Sequence, residues 1–258
     1  MFTMGVDIGS TSSKAVIMRD GSEVLAKKVV SLGTGTAGPA QVVAEAMAEA
    51  GLTREDISVL VATGYGRLTF PGADFQVSEV TCHGRGISYL LPAARTVIDI
   101  GGQDAKALRI NESGRLINFV MNDKCAAGTG RFLDVMARIL GIPVDGLGDL
   151  SAQADHPVSI SNVCTVFAES EVISHLAASE KLSNIAAGIH TSVARRVASL
   201  VLRVGVEEEV AMSGGVALNQ GIVRAMQNEL GRTVHVHPDA QLAGAFGAAL
   251  LAYEKAGQ

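Results

Sequence analysis

The chain of 258 residues contains no tryptophan, and only 4% of its residues are aromatic. Its net charge is −5. Nucleic-acid binding calls for basic patches and stacking rings, so this composition argues against it. Three cysteines do not make a disulfide framework, and the thiols read as reduced, in a cytoplasmic protein. The first residues lack a basic stretch followed by an apolar run, so no signal peptide is expected. No uncharged apolar stretch is long enough to span a membrane. The longest, residues 240–253, is too short and carries Gly244 and Gly247. There is no Gly-x-x-x-x-Gly-Lys-Ser/Thr loop and no Gly-x-Gly-x-x-Gly fingerprint. Nor is there a low-complexity tail or a Pro-rich linker. What remains is an ordinary soluble composition, 48% hydrophobic and 18% charged, long enough to bury a full core.

Against these absences stands one phrase written twice. Asp7-Ile8-Gly9-Ser10-Thr11-Ser12-Ser13-Lys14 returns 92 positions later as Asp99-Ile100-Gly101-Gly102-Gln103-Asp104-Ala105-Lys106. Apolar residues precede each Asp. Each Lys leads into a second apolar run, a polar turn and a third run. Two copies of one structural unit are implied, not a solenoid. Each offers a glycine turn and a carboxylate, which suggests a two-lobed cleft gripping a phosphate ligand from both sides.

Residues 3–8, 13–18 and 24–31 read as strands, followed by a helix over 40–50 and a buried strand over 57–63. The second copy repeats the strands at 96–100, 105–110 and 116–121, then a helix over 130–140. Further on, 158–160 and 210–212 read as strands, and 169–178, 185–205 and 242–255 as helices. Strand–strand–strand–helix units in duplicate fit an α/β two-domain fold. The expected division is lobe I over 1–92 and lobe II over 93–241, with the C-terminal helix, about 242–258, packing back on lobe I.

An Asp closing a buried strand, then Gly, then hydroxyls, suits a phosphate. Gly9 lets the backbone approach closely. Amides and the hydroxyls of Ser10, Thr11, Ser12 and Ser13 donate to phosphate oxygens, and Lys14 adds charge. Asp7 and Asp99 are placed to hold a hydrated Mg²⁺, which keeps its waters and takes few carboxylates. For a single copy, the alternative is a hairpin whose Asp merely caps the turn. Two copies, with Ser213-Gly214-Gly215 at a third strand end, favour phosphate. The pair DIGSTSSK and DIGGQDAK, with this SGG and a glycine-rich final helix, resembles the actin, hexokinase and Hsp70 superfamily of ATPases over almost the whole chain. The resemblance implies a duplicated, ribonuclease H-like fold with ATP in the cleft between lobes. It places Ser10 to Lys14 and Gly101, Gly102, Gln103 and Asp104 at the phosphates, Gly214 and Gly215 beside the adenosine, and Gln241 at its rim. Asp7, Gln103 and Asp104 are the candidate catalytic side chains, the last two to orient the attacking water.

Cys125 and Cys164 each precede a helix, whose N-terminus stabilises a thiolate or an anionic cluster. From spacing alone they also read as small buried hydrophobes. Two thiolates cannot complete a four-cysteine iron–sulfur site, and a two-fold dimer supplies four. The strings NDKCAAGTGRF (122–132) and CTVFAESE (164–171) strongly resemble the activator component of 2-hydroxyacyl-CoA dehydratases, in a wider family with the ATPase subunits of benzoyl-CoA reductase. That resemblance implies a homodimer with one [4Fe–4S] cluster held by Cys125 and Cys164 of each subunit. It also implies ATP-gated one-electron transfer to a separate dehydratase, fed by reduced ferredoxin or flavodoxin. The helix from Gly130 would point its N-terminus at the cluster while its base lies in the nucleotide-binding lobe. The rivals are a small-molecule kinase of the same superfamily and a chaperone-like nucleotide switch.

Other polar residues have plainer readings. Cys82-His83 lacks a readable third group and reads as a packed structural pair rather than nucleophile and base. His235 and His237 share a strand face without a third metal ligand. Glu169 and Glu171 suit a helix N-terminus, and residues 207–209 a solvated turn.

Overall fold

In the computed structural model, residues 1–257 are described. They form two compact units. One comprises residues 1–94, 110–117 and 237 to the C-terminus; the other comprises 95–109 and 118–236.

The first unit is built on β1 (Phe2–Ile8), β2 (Ser13–Arg19), β3 (Glu23–Val30), β4 (Ile57–Thr63) and β5 (Phe75–Gln76), in the order β3-β2-β1-β4-β5. β1 runs antiparallel to β2 and parallel to β4. The sheet is covered on both faces, so its central strands are apolar throughout rather than alternating. Met4, Val6, Ile8, Ala15 and Ile17 pack with Val42, Val43 and Ala46 of α1 (Gly38–Ala50). Val16 and Met18 pack with Ala245, Phe246 and Ala249 of α8 (Ala243–Ala256). α8 also lies against α2 (Glu79–Leu90) with backbones in contact. A β-carbon at Gly247 would fall 1.8 Å from the Cys82 carbonyl oxygen, and one at Gly86 1.8 Å from that of Ala243. The small residues of α8 make that approach possible.

The second sheet comprises β6 (Thr96–Ile100), β7 (Ala105–Ile110), β8 (Leu116–Asn122), β9 (Val210–Ser213) and β10 (Val234–Val236), in the order β10-β9-β6-β7-β8. Its registers repeat those of the first. Asp7 pairs with Lys14 on β2 and Thr63 on β4; Asp99 pairs with Lys106 on β7 and Ser213 on β9. The helices of this unit are α3 (Gly130–Leu140), α4 (Leu147–Ser151), α5 (Thr165–Ala177), α6 (Leu182–Val204) and α7 (Gln220–Leu230). Among the described residues no helix is long and apolar enough to cross a membrane.

Three local expectations change. Residues 158–160 form no strand. Their stretch is tied to helices instead, with Val158 N donating to Asn184 O at 3.2 Å. α2 is a helix despite Gly84 and Gly86, each of which weakens it by up to about 1 kcal/mol; packing on α8 outweighs that cost. α7 carried a readable start signal: Asn219 accepts from the amides of Gly221 and Ile222 at 2.9 and 3.2 Å.

Asn219 also braces α6, lying 3.3 Å from His190 Nε2. Burial, with Arg224 adding like charge, pushes the His190 imidazole down to about 4. The unfolded chain therefore takes up this proton at a higher pH than the folded one. Stability from His190 is complete above about 6.5 and falls as pH drops towards 4, by about 3 kcal/mol in all. Urea unfolding of His190→Gln should show a flatter stability profile between pH 6.5 and 4 than the wild-type protein. Parallel profiles would contradict the assignment.

Candidate functional site

Each copy of the repeated phrase closes a strand with a buried carboxylate paired to a buried lysine. Asp7 Oδ2 lies 3.3 Å from Lys14 Nζ, and Asp99 Oδ2 lies 3.3 Å from Lys106 Nζ. The antiparallel registers fix both pairs, since each Lys stands directly opposite its Asp. The turns between them are also alike: Gly9 N donates to Ser12 O and Gly101 N to Asp104 O, both at 3.0 Å. The neighbouring parallel strand ends alike too. Gly64 follows β4 at φ 87° and Gly214 follows β9 at φ 85°. A β-carbon there would come within 2.5 Å of Asp7 Oδ1 and 2.9 Å of Asp99 Oδ1 respectively. Both positive φ and carboxylate contact therefore demand glycine.

The two sites then diverge. Asp99 Oδ1 accepts from the Ser213 hydroxyl at 2.9 Å. The hydroxyl at the matching position, Thr63 Oγ1, is buried, makes no hydrogen bond to Asp7 and faces the Cys82 thiol. Lys106 has a second carboxylate, Asp104 Oδ2, at 2.8 Å. Ser10, Thr11 and Ser12 lie at the surface of the first turn, whereas the Ser13 hydroxyl is buried and donates to Leu32 O at 2.8 Å. Gln103 is exposed at the second turn; Gly215 is exposed and begins a short 3₁₀ turn, Gly215–Leu218. Gln241 is half-buried in another, Ala240–Leu242.

In the second unit the glycine turn touches the cysteine-bearing segment. α3 begins with Gly130 N donating to Gly101 O at 2.9 Å and Arg131 N to Gly102 O at 2.8 Å. It is thus the N-terminus of α3, not its base, that meets the second repeat. The loop before α3 carries Cys125. Asn122 Nδ2 holds it by donating to Cys125 O at 2.8 Å and Ala127 O at 3.0 Å. Cys125 Sγ lies 4.0 Å from Val163 O, and the next residue, Cys164, caps α5. Thiols 39 positions apart in sequence are therefore brought to one place, and both are half-buried.

The loop before Cys164 is braced by the helices after it. Glu171 Oε2 accepts from Ser161 N at 2.6 Å, and Ser161 O accepts from the Ser192 hydroxyl at 2.8 Å. Glu171 does more than complement a helix terminus: it positions the cysteine loop. Asn122, Ser161 and Ser192 were not singled out from the sequence, although Asn122 lies in one cysteine string and Ser161 just before the other. Around the thiols, Val163, Val166 and Phe167 are 64%, 65% and 62% exposed. Among the described residues no group of three or more His, Cys, Asp or Glu side chains could hold a metal ion.

The remaining candidates are structural by their contacts. His235 Nε2 lies 3.7 Å from Glu209 Oε2. Burial pushes the Cys82 thiol up to about 12, so almost none of it is thiolate near neutral pH. Alkylation of native, metal-free protein at pH 8 should therefore modify Cys125 and Cys164 and spare Cys82 until the chain is unfolded. Equal rates at all three would contradict this placement.

Comparison with known proteins agrees with this geometry. Residues 4–252 match the BadF/BadG/BcrA/BcrD ATPase family. A 2-hydroxyisocaproyl-CoA dehydratase activator from Clostridioides difficile is 56% identical over 256 residues, covering 99% of this chain and 96% of that protein. An (R)-2-hydroxyglutaryl-CoA dehydratase activating ATPase from Acidaminococcus fermentans is 52% identical over 257 residues, covering 99% and 98%. The solved structure of the activator of the 2-hydroxyisocaproyl-CoA dehydratase from Clostridium difficile with bound ADPNP superposes with a TM-score of 0.96 at 56% identity, covering 100% of this chain and 96% of that one. The two mixed five-stranded sheets are those of the actin-like ATPases, and the chain belongs to the BadF/BadG/BcrA/BcrD ATPase family.

Proposed function

We propose that this protein is the ATP-dependent activator of a 2-hydroxyacyl-CoA dehydratase. It acts as a cytoplasmic homodimer that hydrolyses ATP and passes single electrons to the dehydratase component. The observation that carries this reading is the hydrogen-bonded joint between the Gly101-Gly102 turn and the N-terminus of α3, directly beyond Cys125. A phosphate-binding turn and a cysteine loop share a rigid element there, so a change at one is felt at the other.

Asp7 and the turn of Gly9, Ser10, Thr11 and Ser12, with Lys14, serve the phosphates of ATP, as do Asp99 and the turn of Gly101, Gly102, Gln103 and Asp104. The buried carboxylates, each beside a lysine, keep lone pairs for the waters of a Mg²⁺ ion. Gln103, exposed at its turn, and Asp104 orient the attacking water. Gly214, Gly215 and Gln241 serve the adenosine. The Ser13 hydroxyl, bonded to Leu32 O, supports the turn rather than the ligand.

Cys125 and Cys164 fit a [4Fe–4S] cluster shared between two subunits. Both thiols are partly exposed, they converge, and each chain has two where four are required. When bound, such a cluster supplies a one-electron redox centre. The exposed Val163, Val166 and Phe167 give the second copy of the chain an apolar surface to cover. Asn122, Glu171 and Ser192 keep the two loops in register, and reduced ferredoxin or flavodoxin is the electron donor.

The dehydratase reading is favoured by relatives at 56% and 52% identity that carry that name. A benzoyl-CoA reductase component from Thauera aromatica, at 38%, supports the alternative partner less strongly. A kinase would need neither thiol. Protein purified without oxygen should contain about four irons and four sulfides per dimer. Cys164→Ser should lose the colour and the dehydratase activation while retaining nucleotide binding. A colourless, iron-free wild-type protein with full ATP turnover would contradict the proposal.

A further inference from the structure

The Cys82-His83 pair has no part in the function proposed above, yet His83 is only 5% exposed and Asp7 only 4%. The packing of three elements brings them together. Gly5 and Asp7 point to the same side of β1, because side chains alternate along a strand. On that side Gly5 meets α8, where a β-carbon would fall 2.1 Å from Ala245 O. α2 lies against the other flank of α8 at Gly86 and Gly247. One point is common to all three elements. A β-carbon on Gly244 would sit 3.0 Å from Asp7 Oδ2 and 3.0 Å from His83 Nε2. Carboxylate and imidazole thus face each other across a glycine that leaves the space between them open.

The second unit shows what this arrangement replaces. There the carboxylate of Asp99 has a lysine at 3.3 Å and a hydroxyl donor from the adjoining parallel strand, Ser213 at 2.9 Å. Asp7 has the lysine, Lys14 at 3.3 Å, but the hydroxyl of the adjoining strand, Thr63 Oγ1, makes no hydrogen bond to it and faces the Cys82 thiol instead. The polar group facing Asp7 comes from α2 instead.

We propose that His83 is a positioning residue for Asp7 in ATP hydrolysis: across the gap at Gly244, its Nε2 fixes the orientation of the carboxylate that Lys14 neutralises. The proposal rests on the reading of Asp7 as part of the phosphate site. A buried carboxylate gains more from a polar neighbour than one in water, and a misplacement of about 1 Å at such a site costs on the order of 100-fold in rate. Gly244 is part of the device, since any side chain there would part the two groups.

The test uses the full-length dimer prepared without oxygen, with MgATP varied in steady-state hydrolysis. His83→Ala should lower kcat about tenfold or more and change KM by less than about threefold. His83→Gln, whose amide nitrogen reaches the region of Nε2, should recover most of the loss. In an Asp7→Asn background, His83→Ala should cost nothing further, because the two act as one unit. Should the alanine variant not fold, His83→Leu, which keeps the bulk without the nitrogen, takes its place in each comparison. Wild-type kcat in the variant, no recovery with glutamine, or a loss that adds in full to that of Asp7→Asn would each overturn the proposal. Wild-type protein that hydrolyses no ATP would overturn the phosphate site itself, a result distinct from these.

Discussion

The structure depends on two buried ion pairs that folding alone would not select. Asp7 with Lys14 and Asp99 with Lys106 each sit at the end of a strand, almost fully removed from water. Desolvating such a pair costs several kcal/mol per ion, and an apolar pair of the same volume would often be more stable. What makes the pairs tolerable is their geometry. Strand register sets each lysine opposite its aspartate, and a glycine at positive φ leaves room for the carboxylate. Losing Asp7 or Lys14 would leave a buried charge without its opposite, at a cost of about 3–5 kcal/mol. The surrounding β1–β2 and β6–β7 hairpins, and the parallel strands β4 and β9, are the frame that holds these charges in place.

The duplicated frame is not used identically. Ser213 completes the environment of Asp99, whereas His83 faces Asp7 across Gly244. The two turns also differ in what is attached to them: Gly9 O accepts from Thr34 N of a loop at 2.9 Å, whereas Gly101 O accepts from Gly130 N at the start of α3, from which the cysteine loop hangs. A nucleotide can shift such an element only by binding its two arrangements with different affinity. Two short backbone hydrogen bonds and the close packing of Gly130 on Gly102 make the element stiff enough to carry the difference.

Much of this was legible in the sequence because charge and glycine at strand ends are local signals. The repeated phrase implies both hairpins and the second copy's β-strands, but it reads Lys14 as charge for a phosphate and not as the ion-pair partner of Asp7. The cysteine strings, through their resemblance to a known family, pointed to Cys125 and Cys164, which the fold brings into neighbouring loops. What escaped reading depends on packing between distant elements. α2 carries two glycines, and only contact with α8 shows why it is helical. The apolar run at 158–160 reads as a strand, but its hydrogen bonds go to Asn184 of α6 and His175 of α5. Glu171 looked like a helix-terminus carboxylate until its bond to Ser161 N was visible. His83 looked inert because Asp7 lies 76 positions away in sequence.

The account's central claim is that the state of the nucleotide at the paired aspartates is transmitted to the cysteine loop. The most direct measurement is the rate at which a chelator strips iron from the reduced dimer, compared in saturating ADP and in a non-hydrolysable ATP analogue. The account predicts clearly different rates, with the difference lost when Gly130 is replaced by a residue that pushes α3 off the Gly101-Gly102 turn. Identical rates in the two nucleotides would contradict it.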